Sequence, residues 1–383
     1  MAPTSTPDSP RSAPARPGRL TRRRKALLYL AYLLVLAAVA IVAGEIVVRL
    51  KGVRPWQPEP LAVTVEPGGR LFTPKPGVGY GHLPGRYTIT LGTGYRFTVT
   101  HLPNGLRITH PLATYDTTAG TPSGRPEIWI FGCSFTYGWS VSDEDTYAWK
   151  LQELLPEYEV VNFGVNGYGT VHALLQFREA IKTRTPAVAI LAYGAFHDER
   201  NTFLRKRRKA VARWNSLGPL AQPYARLSPD GTLWISETPV EYTEFPFMRT
   251  LALAHFLEME YDDLEETACR SHAVSEALVA QLAREAKEHG VPLVVANIQD
   301  GASMLAFAKS KGIPTVDIAV DLTQPGASNR PHDGHPSAAT HAHYAELLAT
   351  FLMEHVLPRR TEGERDQVGT PTDLPSDAAG EGR

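Results

Sequence analysis

The sequence predicts an α/β fold in which helices cover both faces of a parallel sheet. From about residue 125, short apolar runs of the strand type alternate with segments of helical periodicity. This alternation is typical of parallel strands, because parallel neighbours need a long connection that is usually a helix. A second observation is that the apolar run 128–131 stops in a glycine-flanked serine, Ser134. A serine after a strand of such a sheet lies at the edge where these sheets bind ligands.

Five strands and five helices follow from the pattern of apolar and breaker residues. The strands are expected at 128–131, 159–163, 187–192, 292–297 and 313–318, and the helices at 146–155, 172–182, 271–289, 304–310 and 337–355. Ser142 or Asp143 is available as the N-cap of the first helix, and Gly290 is expected to end the third.

The N-terminal region predicts a membrane anchor. Residues 1–25 are rich in Pro, Ser, Ala and Arg, which predicts a disordered basic leader. The apolar stretch that follows is about the length of a bilayer-spanning helix, so we expect a signal-anchor helix at 26–48. Basic residues on its amino side predict a cytoplasmic N-terminus and a single-pass protein of the inner cell membrane, with its main domain extracytoplasmic. A cleaved signal peptide is the alternative, because the small residues at 38–40 resemble a cleavage site.

Two further segments flank or interrupt the α/β pattern. Residues 51–124 are dense in Pro and Gly with short alternating runs, which indicates a β-rich element that joins the anchor to the domain at 125–358, or else an extended linker. An insertion at 201–266 begins with the basic run 205–209. That run is either a solvated helix face or part of a lid whose cations meet an anionic substrate or lipid headgroups. The polar tail 359–383 is expected to be disordered.

Composition narrows the possible partners. A net charge of -1 among 383 residues gives no indication of nucleic-acid binding. The two cysteines are too few for a disulfide framework, and no histidine or cysteine spacing suggests a metal site, so we expect no cofactor. The sequence does not indicate an oligomeric state and identifies no substrate-binding residue.

The candidate chemistry centres on Ser134. A serine hydroxyl needs a base to take its proton and a third group to orient that base. Asp333 and His335 lie two residues apart in a glycine-containing loop after the last strand, where both can point into the same crevice as Ser134.

At these residues the sequence resembles the SGNH (GDSL-like) hydrolases, and more narrowly their membrane-anchored bacterial members. Three blocks carry the resemblance, at 131–138, 162–170 and 333–337. It implies a flavodoxin-like three-layer sandwich with a five-stranded parallel sheet. It also implies Ser134 as nucleophile, His335 as base, Asp333 as orienting acid and Gly167 as an oxyanion-hole donor.

Two positions depart from the family pattern. Cys133 replaces the aspartate that usually precedes the serine, and we expect it to be a small buried residue. His197 stands where the family has an oxyanion-hole asparagine, and its imidazole N–H can donate a hydrogen bond as an amide does. Asn166 and Asn201 are alternative donors, and His197 can instead form a structural pair with Asp198.

The predicted function is therefore serine ester hydrolysis outside the cytoplasm. The substrate is expected to be a carbohydrate or lipid acyl ester, cleaved through an acyl-enzyme in a deacetylase-like reaction. Two alternatives use the same residues: an O-acyltransferase acting on an envelope or secreted polysaccharide, and a non-catalytic envelope binding protein with this fold.

Overall fold

The computed structural model of the protein describes residues 21–114 and 124–358. The predicted disorder of residues 1–20 and 359–383 falls outside the described residues. The described chain divides into two units. The first contains the chain up to Gln57 together with Glu244–Met259, and the second contains Pro58–Thr243 and the chain from Glu260 onward.

The first unit contains one long apolar helix, α1 (Arg22–Leu50). It is long and apolar enough to cross a membrane, with a mean hydropathy of 2.7 over its most apolar window and none of that window buried. The basic residues at its start belong to the helix rather than to the predicted leader. Near its other end, the Glu45 carboxylate accepts hydrogen bonds from the backbone N–H groups of Ala252 and Leu253, at 3.0 and 2.7 Å. Those N–H groups have no acceptor within their own helix, which begins at Ala252, so Glu45 caps the start of that helix.

The remaining elements follow in chain order. The strands are β1 (Val63–Glu66), β2 (Phe72–Lys75), β3 (Gly79–His82), β4 (Gly85–Leu91), β5 (Arg96–His101), β6 (Glu127–Phe131), β7 (Glu159–Asn162), β8 (Val188–Gly194), β9 (Ala221–Leu227), β10 (Leu233–Pro239), β11 (Leu293–Gln299) and β12 (Thr315–Asp317). The helices are α2 (Ser134–Tyr137), α3 (Tyr147–Leu154), α4 (Thr170–Ala180), α5 (His197–Thr202), α6 (Arg205–Val211), α7 (Ala252–Cys269), α8 (Ser271–Glu288), α9 (Ala302–Ser310) and α10 (Ala338–His355).

The central sheet has five parallel strands in the order β12-β11-β8-β6-β7. In order of appearance this is the 2-1-3-4-5 arrangement of flavodoxin-like folds, whose ligands bind where the strand order reverses. Here the reversal lies between β6 and β8. Ser134 follows β6, so the predicted nucleophile lies at the topological switch point.

Alternate side chains of the strands build a hydrophobic core on each face of the sheet. On β6, Trp129 and Phe131 pack into the cluster formed with α4, α8 and α9, whereas Ile128 and Ile130 pack into the cluster formed with α3 and α10. Burial on both faces explains why this strand reads as a continuous apolar run. The predicted α/β three-layer sandwich with five parallel strands is confirmed, and all ten predicted elements are present with end shifts of a few residues.

One detail of the helix prediction is wrong. The N-cap of α3 is Thr146, whose hydroxyl accepts from the Trp149 N–H at 3.2 Å. Ser142 instead precedes a short 3₁₀ turn at Asp143–Asp145. The Asp143 side chain is occupied by Arg107 and by the Thr100 N–H, so it is not free to cap a helix.

The β-rich element and the insertion share a third hydrophobic core beside the sheet. β1, β4 and β5 form an antiparallel sheet, and β2 pairs with β3. Their apolar side chains pack with Tyr137 and Trp139 from the segment after the serine, and with Phe203 and Val211 from the insertion. The element expected to join the anchor to the domain therefore also supports the segment that carries Ser134.

Candidate active site

The local sequence around Ser134 forces a sharp turn at the end of β6. Gly132 leaves no room for a side chain, because an added Cβ would lie 2.0 Å from the Thr136 hydroxyl. Ser134 then opens α2, where its N–H has no acceptor within the helix. Cys133 is fully buried in the core, as expected for a small packing residue.

The loop before α10 brings an acid and a base to this serine. His335 Nε2 lies 2.9 Å from Ser134 Oγ, and His335 Nδ1 lies 2.5 Å from Asp333 Oδ1. The same carboxylate oxygen accepts the backbone N–H of His335 at 2.7 Å. The three side chains thus form one continuous hydrogen-bonded row, with Asp333 fixing the orientation of the imidazole.

Asp333 is arranged to remain ionised. Burial alone would raise the pKa of its carboxyl, but hydrogen bonds and charge from His335 outweigh burial and hold the pKa below its usual value. An ionised carboxylate beside Nδ1 keeps the proton on that nitrogen and leaves Nε2 free to accept the serine proton.

Polar contacts fix the loop that carries this pair. Asn329 Nδ2 donates to the carbonyl and the hydroxyl of Ser140, at 2.7 and 2.8 Å. Ser337 caps α10 by accepting the Thr340 N–H, and its hydroxyl donates to the Gly326 carbonyl at 2.6 Å. The two Asn329 bonds tie the loop to the segment after α2, so the base and the nucleophile are held against each other.

A tight turn at Asn166 and Gly167 forms another wall of the site. Gly167 has φ +85°, and an added Cβ would lie 2.7 Å from the Tyr80 hydroxyl. That hydroxyl donates to the Asn166 carbonyl at 2.6 Å. Gly164 has a different role, because its missing side chain allows close approach to the Tyr137 backbone. The Asn166 amide is buried and its nitrogen and oxygen have no partner among the described residues.

His197 is placed differently from the expectation. Its ring is fully buried, with Nδ1 3.4 Å from the Thr170 hydroxyl and no partner for Nε2 within 21–114 and 124–358. Burial, followed by the charge of nearby Arg200, lowers the pKa of His197 well below its usual value, so the ring is neutral. Asp198 does not pair with His197; it bonds the Tyr193 hydroxyl at 2.6 Å and His272 at 2.8 Å.

A cavity of about 210 Å³ opens beside the serine. Ser134, His335, Asn166 and Gly167 line it, and His197 does not. Asn201 is the other alternative donor. Its side chain already accepts a hydrogen bond from the Val171 N–H and donates one to the Ser275 hydroxyl. A larger depression of about 720 Å³ lies on the β-rich element and contains none of the predicted site residues.

Sequence reasoning missed several residues of this cavity. Phe72 and Tyr80 come from the β-rich element, Trp139 from the segment after α2, and Gln222 from β9. No motif marks these positions in the sequence. Arg207 also lines the cavity, and the basic run at the start of the insertion was a signal for it.

Comparison with known proteins gives matches in structure only. No protein-family model matches the sequence, and no curated protein matches it. The chain is similar to a member of the lipolytic protein G-D-S-L family from Veillonella parvula DSM 2008, with 12% identity, 58% of this chain and 96% of that chain covered, and a TM-score of 0.34.

Two esterase structures show the same level of similarity. For the psychrotrophic esterase EstA from Pseudoalteromonas sp., the identity is 9%, the coverage 59% and 96%, and the TM-score 0.35. For a two-domain esterase active on acetylated mannans, the identity is 16%, the coverage 60% and 49%, and the TM-score 0.32. The membership of this chain in the GDSL-like, or SGNH, family stays a prediction from its three sequence blocks.

Proposed function

We propose that the protein is a serine ester hydrolase in which Ser134 is the nucleophile, His335 the general base and Asp333 the orienting acid. The observation that carries the proposal is the unbroken row from Ser134 Oγ to His335 Nε2 at 2.9 Å and from His335 Nδ1 to Asp333 at 2.5 Å. These distances are those of an activated nucleophile hydrogen-bonded to its base.

The reaction proceeds in two proton-balanced steps. Ser134 Oγ attacks the ester carbonyl while His335 Nε2 takes its proton, and the imidazolium then returns that proton to the departing alcohol. Water next attacks the acyl-serine while His335 Nε2 takes its proton, and the imidazolium then returns that proton to Ser134 Oγ as the bond to the acyl group breaks and the carboxylic acid leaves. Asp333 keeps its charge throughout and stabilises the imidazolium.

The oxyanion is stabilised by donors that converge beside Ser134. The Ser134 and Gly167 N–H groups supply two of them, as the family resemblance implies. The Asn166 amide is the side-chain donor that we favour over His197, because Asn166 lines the cavity with an unused N–H while His197 does not line it. Asn201 is excluded as a free donor by its two existing hydrogen bonds.

The substrate is an ester with a small acyl group, such as acetate. A cavity of about 210 Å³ lies below the roughly 300–1,000 Å³ of pockets for larger ligands. The apolar helix α1 supports a membrane-anchored enzyme with its N-terminus in the cytoplasm and its ester substrate outside, in the cell envelope. Release from membranes by detergent but not by high salt would support the anchor, whereas a soluble mature protein would contradict it.

A direct test is hydrolysis of 4-nitrophenyl acetate by the full chain in detergent. We expect turnover that is lost in Ser134→Ala while the fold is retained. A well-folded protein without turnover would contradict the proposal and favour a binding role. Supplying a sugar hydroxyl as acceptor and measuring acetyl transfer against acetate release separates an acyltransferase from a hydrolase.

A further inference from the structure

Two arginines from α5 and α6 reach the cavity that contains Ser134. Arg200 lies on α5, the helix that follows β8, and Arg207 lies on α6, within the insertion. Neither has a role in the two-step ester cleavage. Buried charges normally have ionic and hydrogen-bonding partners, because removing a charge from water is costly. The partners of these two guanidinium groups therefore decide what the cavity accepts.

Arg207 is only partly satisfied by the protein. It is 9% exposed, and its closest carboxylate oxygen, on Glu199, lies 4.0 Å away. Nη2 donates a long hydrogen bond of 3.4 Å to the Gly167 carbonyl, and Nε has no partner in the described part of the chain. Burial, followed by the charge of Arg200, lowers the pKa of Arg207 to about 10, so it is still a cation at neutral pH.

Arg200 is half-buried and has no carboxylate partner among the described residues. Its Nη1 donates to the Tyr168 carbonyl at 3.0 Å, and its guanidinium lies 4.2 Å from the centre of the Phe196 ring. Its Nε is buried without a partner within the described ranges. The third arginine of the cavity, Arg213, differs from both because it pairs with Glu59 at 3.5 Å.

Gln222 adds polarity to the same wall. It is 1% exposed, donates from Nε2 to the Gly167 carbonyl at 3.2 Å, and leaves its Oε1 without a partner among the described residues. A buried amide and two under-compensated guanidinium groups thus face one small space next to the nucleophile. Guanidinium groups bind carboxylate and phosphate with paired N–H donors, and such charge-assisted bonds are the strong ones.

We propose that the Arg200 and Arg207 wall binds an anionic group, a carboxylate or a phosphate, that the ester substrate carries near its scissile bond. This inference rests on the proposed esterase function. It narrows the substrate class from neutral esters to acyl esters of acidic molecules, such as O-acetylated uronic acids or acylated phosphoglycerol. The anion completes the unused hydrogen bonds of the two arginines and thereby positions the ester carbonyl at Ser134.

The test compares pairs of esters that differ at one position, where one member carries an anionic group and the other a neutral hydroxyl. For the carboxylate, O-acetyl galacturonic acid is compared with O-acetyl galactose; for the phosphate, acetyl glycerol phosphate is compared with acetyl glycerol. We expect a charged-to-neutral ratio of kcat/KM of about tenfold or more in one of the two pairs. The ratio within each protein cancels any loss of folded enzyme. The pair that shows the preference identifies the anion.

Substitutions of the two arginines test whether they cause the preference for the charged ester. Arg207→Gln should reduce the ratio about tenfold, and Arg200→Gln provides a second variant if the first fails to fold. Lys206→Gln is the matched control, because Lys206 is an exposed cation on the same helix, with its ammonium 3.4 Å from Asp263. It should keep the ratio. No charge preference in either pair, or an unchanged ratio in both arginine variants, would overturn the inference.

A binding measurement separates this inference from the esterase proposal. In Ser134→Ala, galacturonate or inorganic phosphate should raise the Tm, and Arg207→Gln should abolish the rise. An Arg207-dependent rise in a protein that cleaves no ester would overturn the esterase proposal and leave the anion site standing. If the protein cleaves esters without a preference for the charged substrate, and neither anion raises the Tm, the anion-site inference is overturned and the esterase proposal stands.

Discussion

Replacing Asn166 by Ala tests which side chain completes the oxyanion hole. The Asn166 amide makes no hydrogen bond among the described residues, yet it is buried and lines the cavity beside Ser134. Loss of an oxyanion-hole donor costs about 10²–10³ in kcat, or roughly 3–4 kcal/mol. We therefore expect that fall in the kcat for 4-nitrophenyl acetate, with KM changed much less because the donor acts in the transition state.

Stability provides the discriminating second readout. Since the Asn166 side chain has no partner to lose among the described residues, the Tm of Asn166→Ala should stay close to that of the parent. Asn201→Ala is the matched control, because it removes two buried hydrogen bonds and leaves the Val171 N–H unsatisfied, whereas the Ser275 hydroxyl keeps its bond to the Ser271 carbonyl. Each unsatisfied group costs about 1–3 kcal/mol, so the control should unfold at lower temperature. A kcat within threefold of the parent for Asn166→Ala would refute the assignment and return His197 to consideration.

Three other substitutions, together with Gly94→Ala as a control, test the support around the site. Gly167→Ala and Gly94→Ala both place alanine at φ +85°, but only the first meets a neighbouring atom, a tyrosine hydroxyl 2.7 Å away. In urea unfolding both should lose about 1–2 kcal/mol from strain, and a larger loss for Gly167→Ala measures the clash. Arg107→Met should lose about 3–5 kcal/mol in the same assay, since it removes the guanidinium that lies 2.9 Å from the buried Asp143 carboxylate, and a loss below 1 kcal/mol would contradict this role. The lowered pKa of Asp333 means that its carboxylate stabilises the fold above its ordinary pKa of 3.8 and loses this effect as pH falls through the lower folded value. The stability difference between parent and Asp333→Asn should therefore be constant at pH values well above 3.8 and shrink as the pH falls below 3.8; a pH-independent difference would contradict it.

The central sheet could be predicted from the sequence because its three inner strands, β6, β8 and β11, are buried on both faces. Alternating burial of the β6 side chains into two cores leaves every position from Ile128 to Phe131 apolar, so the run is recognisable without any knowledge of its neighbours. The hydrogen-bonded row of Ser134, His335 and Asp333 could also be predicted, because of where these residues lie along the chain. Asp333 and His335 are close in sequence and belong to a loop after the last strand, so topology alone brings them to the carboxyl edge of the sheet.

The remainder of the site depends on contacts between distant segments. The Tyr80 hydroxyl reaches the Asn166 carbonyl across 86 residues, and nothing in the local sequence of β3 predicts this bond. The prediction that His197 contributes to the oxyanion hole depended on matching a single residue to the family pattern. The structure buries that ring away from the lining of the cavity and brings the amide of Asn166 to it instead.

Covalent labelling of the nucleophile tests the central claim most directly. The full chain is treated in detergent with a fluorophosphonate, which reacts with serines that an adjacent base activates. Peptide mass mapping should place a stoichiometric adduct on Ser134. The adduct should be absent in Ser134→Ala and strongly reduced in His335→Ala, because the base lies 2.9 Å from the hydroxyl in the parent. A folded protein that carries no adduct, or that carries it on another serine, would contradict the account.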